Sequence, residues 1–135
     1  MFRPLAAVLA LSLVAACSNG DSPTDPASSQ PLGKLAGQVT IGPNCPGPTT
    51  ENGCPTPPSA YLARKILVYN EAHTTLLHTV DIDTIGLYLI ALAPGKYAVD
   101  LKKAGADSTA DLPKVVEIHA NVTTNVNVSI DTGLR

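Results

Sequence analysis

Tryptophan is absent from this 135-residue chain, and phenylalanine and methionine occur once each. With four tyrosines as the remaining aromatics, the stacking platforms that sugar- and base-binding surfaces rely on are thinly supplied. Charge is scarce as well: 15% of residues are charged and the net charge is −2. With only 9 Lys and Arg there is no basic stripe to neutralise phosphates, which excludes a nucleic-acid partner. After Ala16 no apolar run approaches the roughly 20 residues of a membrane-spanning helix. What remains is 44% hydrophobic, dominated by Val, Ile and Leu, and punctuated by 10 Gly and 12 Pro. That balance and length predict one small β domain.

The first residues read as an export signal. Arg3 supplies a positive charge, and Leu5 to Ala16 (LAAVLALSLVAA) is apolar apart from Ser12. As a helix this run is about 18 Å long, short of a bilayer core of roughly 30 Å, and it fits a signal-peptide core instead. Val14-Ala15-Ala16-Cys17 then resembles the lipobox of bacterial lipoproteins. The resemblance implies acylation of the Cys17 thiol, cleavage before it, and a signal peptide of residues 1–16. Two or three acyl chains, at about 0.8 kcal/mol per buried CH₂, make a stable anchor where one is marginal. Membrane lipid at Cys17 is thus one expected partner. Ser18 in place of Asp resembles the sorting pattern of outer-membrane lipoproteins, so the expected location is the bacterial cell envelope, lipid-anchored to the outer membrane.

Residues 17–33 form the lipidated Cys and a tether. Ser18 to Gly33 (SNGDSPTDPASSQPLG) carries one large apolar side chain, Leu32, and cannot bury enough surface to offset its ordering entropy. From Lys34 the pattern changes to the period-two alternation of half-buried strands. Leu35, Gly37, Val39 and Ile41 share one face, as do Ile66 and Val68. Strands are also expected over Thr75–Ile82, Leu87–Ala93, Tyr97–Leu101, Val116–Ile118 and Val126–Ile130. Asp83-Thr84-Ile85-Gly86 and Pro94-Gly95 are expected as turns, Tyr97 as a core ring whose hydroxyl closes a corner, and no helix is expected. Seven strands in about 100 residues argue for a β-sandwich.

Within this frame, Thr79 to Leu101 (TVDIDTIGLYLIALAPGKYAVDL) resembles the core signature of carboxypeptidase regulatory-like domains. Gly86-Leu87-Tyr88 and Pro94-Gly95-Lys96-Tyr97 match its Gly-x-Tyr strand opening and its Pro-Gly-x-Tyr corner. The match covers Lys34 to about Asp131. It implies an all-β, seven-stranded, transthyretin-like sandwich over residues 34–135, and it implies no activity.

Gly42 to Ala60 (GPNCPGPTTENGCPTPPSA) departs from that family's short loop. Loops beyond about 12–15 residues are uncommon and are usually functional or disordered. With Cys17 lipidated, Cys45 and Cys54 are expected to pair in an oxidising compartment, closing a small ring worth about 2.5–3 kcal/mol on the loop-entropy model. Proline and the bridge both stiffen the insert, and a stiff exposed loop loses little entropy on binding. Asn44 to Pro58 is therefore the candidate contact surface for an envelope protein or glycan, with Asn44, Thr49, Glu51, Asn52 and Pro58 as its candidate residues. The alternative is a loop that covers a sheet edge.

The chemistry-bearing residues are dispersed. His73, His78 and His119 have no ligand spacing, and Cys45 and Cys54 have no nearby His, so no metal is expected. Asp81-Ile82-Asp83 with Gly86 echoes a calcium loop but lacks its further carboxylates and terminal Glu. There is no Gly-x-Ser-x-Gly elbow. The ureide hydrolase of the transthyretin-like fold ends in Tyr-Arg-Gly-Ser, whereas this chain ends Asp131-Thr132-Gly133-Leu134-Arg135. Collagen-adhesin B-type domains place a Glu where Leu101 stands, so no isopeptide cross-link is expected. The expectation is a non-catalytic binding or structural module without a cofactor. The alternative is a small envelope hydrolase using the insert as a lid, which two His clustered with a carboxylate beside that loop would favour. A third reading is an assembly accessory that pairs by an exposed sheet edge.

Overall fold

Period-two alternation becomes eight strands and one short helix in the computed structural model, which describes residues 30–47 and 53–134. The expected signal peptide, the lipidated Cys17 and the tether up to Ser29 lie outside the described residues, as do Thr49, Glu51 and Asn52. In chain order the elements are β1 (Gly33–Gly42), α1 (Pro58–Leu62), β2 (Lys65–Asn70), β3 (Leu76–Asp81), β4 (Leu87–Leu92), β5 (Gly95–Lys102), β6 (Lys114–Ile118), β7 (Thr123–Asn125) and β8 (Val128–Asp131). One sheet has the order β4-β1-β7, with β8 continuing beside β1; the other has the order β3-β2-β5-β6. The chain is an all-β sandwich. β1 pairs parallel with β7 and β8, and every other pairing is antiparallel.

The inward-facing residues are the ones that alternation selects. Leu35 and Val39 of β1, Ile66 and Val68 of β2, and Val99 of β5 are fully buried, with Ile118, Val128 and Ile130 nearly so. Each such side chain contributes about 1.5–3 kcal/mol relative to an exposed one. β7 contributes no buried side chain, and β3 only Val80.

Three expectations change. The last expected strand is interrupted at Val126-Asn127, although its register on β1 resumes unchanged: Ala36 faces Asn125 and Val39 faces Val128. The cause lies at Gly37, where a Cβ would stand 1.9 Å from the Val126 carbonyl oxygen. Only glycine admits that approach, and the Tyr88 hydroxyl donates to the same oxygen at 2.5 Å. Second, the buried aromatic is Tyr88, 4% exposed, whereas Tyr97 is half-buried against the core. Its hydroxyl still closes the expected corner, donating to the Ala93 carbonyl at 2.7 Å. Third, the end of the insert is the helix α1, where none was expected. Pro58 begins it with φ preset for a helical turn.

Asp83 to Gly86 makes the expected turn. The Gly86 N–H donates to the Asp83 carbonyl, and the Asp83 carboxylate accepts from the backbone N–H groups of Ile85 and Leu87. Those two bonds explain why the motif only echoes a calcium loop: the carboxylate serves the turn. Gly86 has φ +90°, and a Cβ there would meet the Val39 carbonyl oxygen at 2.5 Å and the Tyr61 ring at 2.8 Å.

Candidate functional site

The insert leaves the sandwich at the end of β1 and re-enters at the start of β2, so it belongs to one end of the molecule. Its root is tied to the chain terminus. Thr132 N–H donates to the Gly42 carbonyl at 3.1 Å, and Thr132 Oγ1 donates to the Pro43 carbonyl. Cys45 and Cys54 form the expected disulfide, with Cα atoms 6.0 Å apart. Beside it, Asn44 Nδ2 donates to the Ile41 carbonyl, the Cys54 carbonyl and Thr56 Oγ1 at 3.1, 3.2 and 2.8 Å. The Thr56 hydroxyl donates to the Ile41 carbonyl at 3.1 Å. The Asn44 amide nitrogen thus faces into the loop and joins both arms of the insert. Pro58 is exposed at the start of α1.

The returning arm is locked by a buried ion pair. Arg64 and Asp107 are 7% and 6% exposed. The guanidinium grips the carboxylate through two bonds, Nε to Oδ2 at 2.6 Å and Nη2 to Oδ1 at 2.7 Å. Arg64 Nη1 also donates to the Ala60 carbonyl at the C-terminal half of α1, at 2.6 Å. Asp107 Oδ2 accepts from the Ala104 N–H at 2.9 Å. Burial alone would raise the Asp107 carboxyl; the Arg64 hydrogen bonds, the Ala104 N–H, and the charges of Arg64 and Lys103 outweigh it and hold the group below its ordinary value. This pair fastens α1 to the loop between β5 and β6. Nothing in the sequence announced it, since the partners lie 43 residues apart.

The three histidines stay apart. His73 lies in the β2–β3 turn with φ +57°, its Nε2 3.1 Å from Asp100 Oδ2 and its ring edge-on to Tyr69 at 4.3 Å. That turn follows the last residue of β2, whereas the insert enters at the first, so the His73–Asp100 pair sits at the opposite end from the insert. His78 and His119 are exposed. Among the described residues no three His, Cys, Asp or Glu converge on a metal position. Among them, too, no helix is long and apolar enough to cross a membrane.

A shallow groove of about 620 Å³ lies on the outer face of the β4-β1-β7 sheet. Ala36, Leu87 and Leu89 form its apolar floor, with Gln38 and Asn127 on one side and Asp83 at one end. It contains amides, alkyl groups and carboxylates but no imidazole, thiol or serine hydroxyl. Beneath it, burial pushes the Tyr88 hydroxyl up to about 12.

No family model and no curated protein matches the chain. Solved structures do. GBS52, the minor pilin of the Gram-positive pathogen Streptococcus agalactiae, is similar over 76% of this chain and 45% of its own, with 12% identity and a TM-score of 0.53. A DUF3823 family protein from Parabacteroides merdae has 17% identity over 75% of this chain and 46% of its own, with a TM-score of 0.45. Another from Bacteroides ovatus has 13% identity over 73% and 44%, with a TM-score of 0.44. This chain spans less than half of each of these neighbours. What it shares with the pilin is the fold.

Proposed function

We propose that the chain is a lipid-anchored protein of the bacterial cell envelope whose carboxypeptidase regulatory-like sandwich is a non-catalytic binding module. The insert between β1 and β2 is its contact surface for an envelope protein or glycan. The observation that carries this reading is the way the insert is held: a disulfide, the Asn44 amide clamp and the Arg64–Asp107 pair fix both of its arms to the sandwich. A sandwich needs none of these to connect two strands. A loop fixed before binding loses less conformational entropy when a partner docks, which raises affinity. The anchor rests on Val14-Ala15-Ala16-Cys17, and the absence of catalysis on the separation of the histidines from the insert.

Replacing Pro43–Pro57 with a short Gly-Ser turn tests the contact surface. Folded variant, sorted by its resistance to protease, is expected to lose its crosslinked envelope partner. Intact partner recovery together with lower stability would make the insert structural and refute the reading.

A further inference from the structure

We propose that the free edge of β4 pairs antiparallel with the same edge of a second copy of this chain. Among the described residues β4 pairs only with β1, and it ends its sheet. Gly86 opposite Val39 is a hydrogen-bonded position, because the Val39 N–H donates to the Gly86 carbonyl at 2.7 Å. Alternation along an antiparallel pair then turns the N–H and C=O groups of Tyr88, Ile90 and Leu92 toward β1, and those of Leu87, Leu89 and Ala91 outward. Asp83 occupies both outward groups of Leu87: its backbone N–H donates to the Leu87 carbonyl, and its carboxylate accepts the Leu87 N–H. The open edge is thus reduced to Leu89 and Ala91, two donors and two acceptors.

The other three edges are protected. Beside β8, Ser108 bridges Asp131 and the Asp111 carboxylate accepts the Ser129 N–H. β6 carries Lys114 and Glu117. β3 is paired through a register shift at Val68/Tyr69 and carries Asp81 in an ion pair with Lys65. Charges and irregularities of this kind are how soluble sheets avoid edge pairing. β4, LYLIAL, has no charge, no proline and no bulge. Its outward face is apolar, with Leu87 43% and Leu89 60% exposed.

The occupant is a second copy because the edge complements itself. A two-fold axis at Ile90 sets each Leu89 opposite Ala91 of the partner subunit, so about four N–H···O=C bonds close the ladder and each large side chain faces a small one. Along this face charge runs from Asp83 beyond Leu87 to Lys34, which lies level with Ala91. Antiparallel pairing brings the acidic end of one copy to the basic end of the other.

Two differently tagged full-length copies are expressed in one cell, with p-benzoylphenylalanine at position 89 of one. Irradiation is expected to join it to the other tagged copy, and the same probe at Val115 on β6 is expected to give no such adduct. Ala91→Pro removes one edge donor without touching the core, and should lower the adduct at least about tenfold while the melting temperature holds. No mixed-tag adduct at position 89, equal yield at Val115, an Ala91→Pro yield unchanged, or an adduct formed instead with a different protein would each overturn self-pairing.

Discussion

Asp107→Asn isolates the lock on the insert. The substitution keeps the shape of the side chain and removes its charge, leaving the Arg64 guanidinium buried at 7% exposure without a counterion. Removing one partner of a buried pair costs about 3–5 kcal/mol, because the remaining charge has lost water and gained nothing in exchange. Against a domain stability of about 5–15 kcal/mol this is a large fraction. Urea unfolding followed by tyrosine fluorescence should show a midpoint lower by about 2–5 M at an unchanged slope of about 1–1.5 kcal/mol/M.

The same pair fixes the acid behaviour. The folded Asp107 carboxyl ionises more readily than the unfolded one, so its contribution is present above the unfolded value near 4 and is lost as pH falls through the folded value. The gap between wild type and Asp107→Asn should therefore be constant from pH 5 to neutrality and narrow below about pH 4. Arg64→Met with Asp107→Leu, which removes both charges, should recover most of the loss. A midpoint for Asp107→Asn within about 0.3 M of wild type would refute the reasoning, as would a double variant no better than the single.

Tyr88→Phe leaves the Val126 carbonyl without its hydroxyl donor and should cost about 1–3 kcal/mol, whereas Tyr97→Ala, at a half-buried ring, should cost less than the roughly 3–5 kcal/mol of a buried one. With Tyr88 pushed up to about 12 in the fold, its contribution is complete below pH 10 and disappears as pH rises toward 12; an absorbance titration should show a late step that Tyr88→Phe abolishes. At the terminus, Cys17→Ser should release the protein from membranes or stall it as precursor, and palmitate labelling equal to wild type would remove the anchor.

The sheet was legible wherever one face is buried. Leu35 and Val39, Ile66 and Val68, and Val116 and Ile118 alternate with less buried neighbours, and a slip of one residue would turn each set away from the core. The alternation failed where contacts distant in sequence intervene. Val126 reads as one more residue of a continuous strand; the break depends on Gly37 and Tyr88, 89 and 38 residues away. Tyr97 reads as core because parity places it with Val99 and Leu101, and parity does not report how far a ring at a strand's start lies from the centre. α1 is too short for a hydrophobic period to register, and only Pro57-Pro58 marked its beginning.

The candidate site was legible in its covalent part and illegible in its polar part. Cysteine arithmetic gave the Cys45–Cys54 bridge, but short polar side chains look alike in sequence whether they face a partner or the backbone. Here they largely serve the backbone. Asn44 joins the arms of the insert, Asn70 Oδ1 accepts from Thr74 and Thr75 N–H, Asp83 accepts from Ile85 and Leu87, and Asp111 accepts from Ser129. Most of these reach a main-chain group within five residues at little entropic cost, and Asp111 reaches across 18. Side chains engaged in that way are committed to the turns of the fold. The surfaces proposed for recognition are the insert and the edge of β4. A loop held in shape before a partner arrives loses less entropy on docking, and the disulfide, the Asn44 clamp and the Arg64–Asp107 pair hold the two arms of the insert at one end of the sandwich.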